Sequence, residues 1–343
     1  MSGPHRRLSP AGEMSGAKPP ARHGPPLSHL RVATWRGVFV RAARAYRTDG
    51  CGDLAAGLTY RALLSVFPAL VVVVALAGLV VTNDEAVDTL VAIVEDAAPA
   101  AVADAVAART REVAGGRTAA GVLLSVGLLA SLWTASAYLR AFTRAANRIY
   151  GVREGRPAYR LVPQQLALTL VGLVLTALVL LGLVVSGPVA RAVGDALGLG
   201  PTAVTVWNVL KWPVLVLIAA TLLSLLFLVA PNVRQPTLRW LAVGGGVALL
   251  TWVLASLGFA LYLANFSAYD ATYGTLGAVI AFLVWMYLAN SAILFGVEVN
   301  AELARGRRIQ AGRPPEPGEP PLPPKVPAWD RAAATPAPAA RRA

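Results

Sequence analysis

Six stretches of the chain, near residues 62–81, 119–138, 166–186, 213–230, 240–263 and 275–299, approach or exceed the roughly 20 apolar residues needed to cross a ~30 Å hydrocarbon layer. A soluble core offers no comparable explanation for six such runs in one chain. Composition agrees: 56% of the residues are hydrophobic and 14% charged, against about 25% charged in ordinary soluble domains. The fourth run, PVLVLIAATLLSLLFLVA, is the shortest, with Trp207 and Trp212 placed just before it as an interfacial aromatic belt would be. The expected fold class is all-α, a polytopic integral membrane protein with six transmembrane helices and amphipathic interfacial helices.

The position of the charges sets the orientation. Of the 31 Lys and Arg residues, 26 fall in residues 1–61, 139–163, 231–239 and after 299; the alternate connections hold only five. This asymmetry puts both termini in the cytoplasm. It also accounts for the net charge of +13 without nucleic acid, for which no recognition module is visible. No short apolar core precedes residue 50, so the first span is expected to act as an uncleaved anchor. Residues 1–30 and 306–343, rich in Pro and Arg, read as disordered tails around a membrane domain at 31–305.

Two connecting regions carry helical periodicity. RVATWRGVFVRAARAY (31–46) sets Val32, Trp35, Phe39, Ala42 and Tyr46 at helical spacing, with Arg36, Arg41 and Arg44 elsewhere around the helix, as for a helix lying in the cytoplasmic interface. DEAVDTLVAIVED, with the residues that follow it, reads as a short external helical cap.

Ionisable groups at membrane depth are costly unless paired or hydrated, so they are the first functional candidates. Glu298 follows SAILFGV near the cytoplasmic end of the last run; it is either a functional carboxyl or an interfacial one paired with Arg305 or another basic residue. Asn290 and Ser291 lie deeper, where interhelical hydrogen bonding competes with lining a polar path. In the first run Arg61, Ser65 and Pro68 come together, and a proline there can open a cavity for polar groups. Arg140, Arg144 and Arg148, four residues apart, with Arg156 in the loop that follows, suit anionic headgroups or a phosphate-bearing ligand, and equally a topology-setting face. Asp270, in the external turn NFSAYDATYGTLG, either caps the sixth helix or meets a substrate. Gly244, Gly245, Gly246 and Gly258, with Gly274 and Gly277, predict close packing of the fifth and sixth helices. One cysteine, Cys51, and three histidines confined to the first 30 residues exclude an intramolecular disulfide and leave no basis for a zinc-hydrolase constellation. No metal, cofactor or catalytic residue is expected.

Several stretches taken in order, DLAAGLTYRALLSVFPAL, RAANRIYGVREGRP, APNVRQPTLRW, ANFSAYDATYGTLGAVIAFLVWMYL and LFGVEVNAEL, resemble the YihY/BrkB family of bacterial inner-membrane proteins. The resemblance covers roughly residues 40–305. It implies six membrane helices with both ends inside, in agreement with the charge count. On matching positions it highlights Ser65, Phe67, Pro68, Asn147, Arg156, Pro157, Pro231, Tyr269, Tyr273, Gly274, Gly296, Glu298 and Asn300; Val297 and Val299 depart from the pattern. Many members carry a ribonuclease BN label, which the carboxylates here support thinly.

The function expected is that of an inner-membrane transporter or flippase-like protein for a lipidic or amphipathic substrate, with membrane lipids as partners. The alternative is a non-transporting envelope scaffold.

Overall fold

The computed structural model describes residues 31–80, 117–184, 190–191, 200–236, 238–264, 275–314, 316 and 318–327. Seven helices lie within them: α1 Val32–Thr48, α2 Cys51–Val80, α3 Arg117–Ile149, α4 Ala158–Val184, α5 Pro201–Val229, α6 Leu238–Ala264 and α7 Thr275–Gln310. No strand occurs among the described residues, where an antiparallel bridge joins Val233 to Pro324. The architecture is all-α.

Among the described residues, four helical stretches are long and apolar enough to cross a membrane: Ala158–Thr176, Pro201–Val229, Trp240–Ala264 and Leu276–Gln310. Their outer faces carry large apolar side chains; Leu170, Leu217 and Leu254 are 58%, 67% and 59% exposed. So much outward apolar surface suits hydrocarbon rather than water. The remaining two apolar runs lie on α2 and α3, which are 30 and 33 residues long.

The helices outrun the spans read from hydropathy. α2 begins at Cys51, eleven residues before its apolar run, and α3 continues past its run to Ile149, so Arg140, Arg144 and Arg148 stand on the same rigid rod as the apolar segment. α5 starts at Pro201 rather than near 213, because Pro201 fills the first helical position, where its missing N–H costs nothing. Two left-handed glycines make the tight reversals: Gly50 (φ 66°) joins α1 to α2, and Gly151 (φ 62°) follows the end of α3.

Each long helix packs on its neighbour in sequence, α2 on α3, α3 on α4 and so on to α6 on α7, and α7 returns to α2. The described helices thus form a closed ring. α7 also touches α3 across the ring. The core is concentrated at the end that carries the α1–α2 turn and the α3–α4 and α5–α6 loops, here called the turn end; Cys51, Leu58, Phe142, Tyr150, Leu241 and Leu294 are buried there.

α1 is not a free interfacial helix. Val38 and Ala42 are fully buried against Val299, Leu303 and Ala304 of α7, whereas Phe39, expected on the apolar face, is exposed. Arg41, expected among the polar positions, reaches Glu302 at 2.7 Å. The contact was not visible in α1 alone because the polar end of α7 supplies a partner for each group.

The C-terminal segment also departs from expectation. α7 runs to Gln310, and residues beyond it fold back on the turn end: Arg234 N–H donates to Pro323 O, Lys325 N–H to Asn232 O, and Leu322 packs against both apolar clusters. The tail therefore does not begin at residue 306. Residues 1–30, the 84–113 region read as an external cap, and 328–343 lie outside the described residues.

Candidate functional site

α7 organises the buried polar groups. Asn290, Glu298 and Glu302 fall within about a third of the helix circumference at 100° per residue, facing α1, α2 and α3. Asn300 lies on the other side, toward α6. All four are at least 96% buried.

The Asn290 side chain is satisfied. It accepts from the Tyr138 hydroxyl at 2.9 Å and donates to Thr59 Oγ1 at 3.2 Å and Met286 O at 2.9 Å. It ties α2, α3 and α7 together, the structural alternative left open by the sequence. Asn300 Oδ1 accepts the Gly244 N–H at 3.0 Å, a structural bond across α6 and α7. Glu302 is held by Arg41 and Arg305, so Arg305 serves Glu302 and not Glu298.

Asn300 Nδ2 has no partner among the described residues, and Glu298 is the acid of the group without a cationic one. Its carboxyl is fully buried, Oε1 takes a hydrogen bond from the Cys51 thiol at 3.3 Å, and Oε2 has no partner among the described residues. Two other carboxylates, Asp49 and Glu302, act on it electrostatically. Tyr46 and Tyr150 are within electrostatic reach from α1 and the end of α3. An acid lacking a cationic partner in a dry core is the group here whose chemistry allows it to exchange a proton or a cation.

Beside this line lies a cavity of about 220 Å³ between α3, α4, α5 and α7. Its walls are almost wholly apolar, with Leu139, Leu168, Leu223 and Ile293, and the Tyr138 that bonds Asn290. At the opposite end of the bundle a groove of about 440 Å³ runs between α6 and α7, lined by Phe259, Tyr262 and Ile280. Neither space is lined by Arg61 or Glu298.

The arginines separate into different roles. Arg61 and Arg140 both act electrostatically on Arg144. Arg148 leaves that group and turns toward Gly50 and Cys51. Arg156 is not presented to headgroups, because it is 91% buried and locks the turn end. It donates to Glu154 Oε1 and Oε2 at 2.8 and 2.7 Å, and to the Val229 and Ala230 carbonyls at 3.1 and 2.7 Å. Those carbonyls close α5, where a cation satisfies them and meets the negative end of the helix dipole. Lys325 does the same for the Leu228 and Pro231 carbonyls, at 2.8 and 3.0 Å; burial, joined by the charge of Arg156, pulls its ammonium down to about 8. Asn147 and Asn232 complete the lock through an Asn232 N–H to Asn147 Oδ1 bond of 2.7 Å.

Burial alone would raise the Glu154 carboxyl, but the hydrogen bonds from Arg156 and Asn147 outweigh it and hold the group below its ordinary 4.5. A carboxyl lowered in the folded state contributes stability that is complete above 4.5 and lost as pH falls through the lower folded value. We expect thermal melting of the purified protein to drop below that pH, and Glu154→Gln to flatten the dependence.

Ser65 donates its hydroxyl to Arg61 O at 3.0 Å, a local helix bond. α2 passes unbroken through position 68, although the Pro68 side chain is outside the described residues, as are Tyr269, Asp270, Tyr273 and Gly274. Sequence reasoning missed Thr59, Tyr138, Glu154, Asn232 and Lys325 as members of these networks. The available signals were the PN pair after the fourth apolar run and the GVREGRP loop; nothing local marks Lys325.

Comparison with known proteins agrees with this architecture. The family described as Virulence factor BrkB matches residues 42–321. A Bacillus subtilis protein named ribonuclease-like YfkH is 32% identical over 260 residues, 76% of this chain and 92% of that protein. A UPF0761 membrane protein of Rhodospirillum centenum is 32% identical over 79% of this chain and 58% of its own length, and one of Alkalilimnicola ehrlichii is 30% identical over 80% and 59%. The chain therefore spans under two thirds of these longer relatives. No solved structure matches significantly. The ordered motifs, the helical membrane architecture and the match over most of the chain agree: this multi-pass membrane protein belongs to the BrkB family.

Proposed function

We propose that this protein binds and translocates a lipidic or amphipathic substrate across a bacterial inner membrane. The observation that carries the reading is the apolar cavity between α3, α4, α5 and α7, placed next to the Tyr138–Asn290 pair and within two helical turns of the unpaired Glu298. Such a space accepts an acyl chain, and the polar line beside it offers a route for a proton or a polar group. The length and apolar runs of α2 and α3 support reading them as the fifth and sixth spans. The distribution of the 26 Lys and Arg residues supports a cytoplasmic turn end.

The test is reconstitution in vesicles carrying a fluorescent phospholipid analogue, with outer-leaflet quenching to count lipid that has crossed. Protein-containing vesicles should exchange the analogue faster than empty ones, and Glu298→Gln, which keeps the shape and removes the ionisable group, should slow exchange by at least about tenfold, about 1.4 kcal/mol. Unchanged exchange in wild-type vesicles would overturn the reading. A scaffold would instead lose its cellular role on truncation of residues 328–343; removing more also removes the docked segment and tests folding.

A ribonuclease-like name belongs to the Bacillus relative. In this chain the acids of α7 are spent on Arg41 and Arg305 or buried beside Cys51, and the histidines lie at positions 5, 23 and 29. We favour a non-enzymatic role.

A further inference from the structure

We infer that Arg61, Arg140 and Arg144 form a binding site for the phosphate of an anionic glycerophospholipid on the outer face of the α2–α3 pair. This deepens the lipidic reading by naming the headgroup, and rests on that reading for the choice of a lipid as cargo. α2 and α3 pack antiparallel in a register fixed by Arg148 beside Gly50 and by the Tyr138–Asn290–Thr59 bonds, which sets Arg61, turned back to Gly57, level with the Arg140–Arg144 turn; no carboxylate pairs with any of the three among the described residues. Three like charges brought together by two packed helices repel one another, so the arrangement is relieved by an anion between them. Local bonds already orient two of the guanidiniums. Arg61 donates to Gly57 O at 3.0 Å, and Arg140 donates to Ser136 Oγ at 2.9 Å while lying 5.7 Å over the Trp133 ring. Guanidinium planes suit phosphate oxygens, which accept paired N–H donors.

The surface next to the cluster decides between a lipid and a free anion. From Trp133 an exposed stripe continues along α3 through Leu129, Val126 and Val122, which are 71%, 70%, 60% and 61% exposed. These positions repeat at helical spacing on the side of Arg140 and lead away from the turn end. A phosphate with an acyl chain attached fits both halves, charge on the arginines and hydrocarbon on the stripe. A soluble phosphate fits only one. The cluster also lies where the apolar runs near 62–81 and 119–138 begin and end, at headgroup depth.

The test titrates phosphatidylglycerol and phosphatidylcholine separately into the purified full chain in detergent and reads bound lipid by native mass spectrometry. Wild-type protein should prefer phosphatidylglycerol. Each Arg→Gln change should weaken that lipid about fivefold and the triple Arg61→Gln, Arg140→Gln, Arg144→Gln variant about a hundredfold, with phosphatidylcholine unaffected. The triple lysine variant keeps the charge but not the planar fork and should keep a weaker preference; it also supplies the result if the glutamine variant fails to fold. Equal binding of the two lipids by wild type, unchanged phosphatidylglycerol binding in a folded glutamine variant, a lysine variant without preference, or displacement of the lipid by millimolar inorganic phosphate would overturn the site. Lipid exchange in vesicles is a separate readout. A lost preference with intact exchange removes this site alone, and a kept preference without exchange removes only the transport reading.

Discussion

Gly296→Val should be among the most damaging single changes in the membrane core, lowering stability by about 3 kcal/mol or more through overpacking. Gly296 and Gly244 face each other where α7 meets α6. A Cβ built on Gly296 would stand 2.5 Å from Gly244 O and 2.8 Å from Ala248 Cβ, and one on Gly244 would stand 2.4 Å from Gly296 O. Those obstacles include backbone, which cannot rotate away, so the helices would have to separate. Separation would also stretch the Gly244 N–H to Asn300 bond of 3.0 Å. Gly245→Ala is the control: its nearest neighbour, Leu223 Cβ, is at 3.9 Å, an ordinary contact, and the change should stay within about 1 kcal/mol. Thermal melting in one detergent compares the two; equal losses would show that the seam tolerates a side chain.

Arg156→Ala should cost about 3–5 kcal/mol, the range found when one member of a buried pair is removed. The change strips Glu154 of its cation, leaves the Ala230 carbonyl without its side-chain donor, and leaves Val229 O only the longer 3.5 Å contacts from Gln164 and Lys325. Arg156→Lys should recover only part, because one ammonium cannot span the carboxylate and both carbonyls as a planar fork does. The measurement is again the melting temperature, read with proteolytic susceptibility of the 150–157 loop. A variant that melts within a degree or two of wild type and resists protease would show that Lys325 alone closes the end of α5.

The helices were readable because a membrane span leaves a long signal in local composition. Partner choice was not, because it depends on groups far apart in the chain. Gly244, Gly245, Gly246 and Gly258 look alike as sequence; only Gly244 meets another backbone, and no atom comes within 4 Å of a Cβ at Gly246 or Gly258. Arg140, Arg144 and Arg148 share a four-residue spacing, yet Arg148 turns to Gly50 while Arg61, on another helix, takes its place. Glu298 stood out as an acid at depth. Its thiol neighbour, Cys51, is 247 positions away and no spacing rule reaches it. The Pro-rich composition after α7 reads as disorder, yet Leu322 and Lys325 find ready-made apolar and carbonyl partners on the turn end.

The closed ring has a consequence for synthesis. Its closing seam joins α2, the first of the described long helices in chain order, to α7, the last of them, and the segment that clasps the end of α5 follows later still. Until then Thr59 has no Asn290 and Cys51 no Glu298. The half-made protein is an open arc with a polar edge exposed in the bilayer. A chain truncated before residue 290 is therefore expected not to accumulate in the membrane, which its level beside that of the full chain checks.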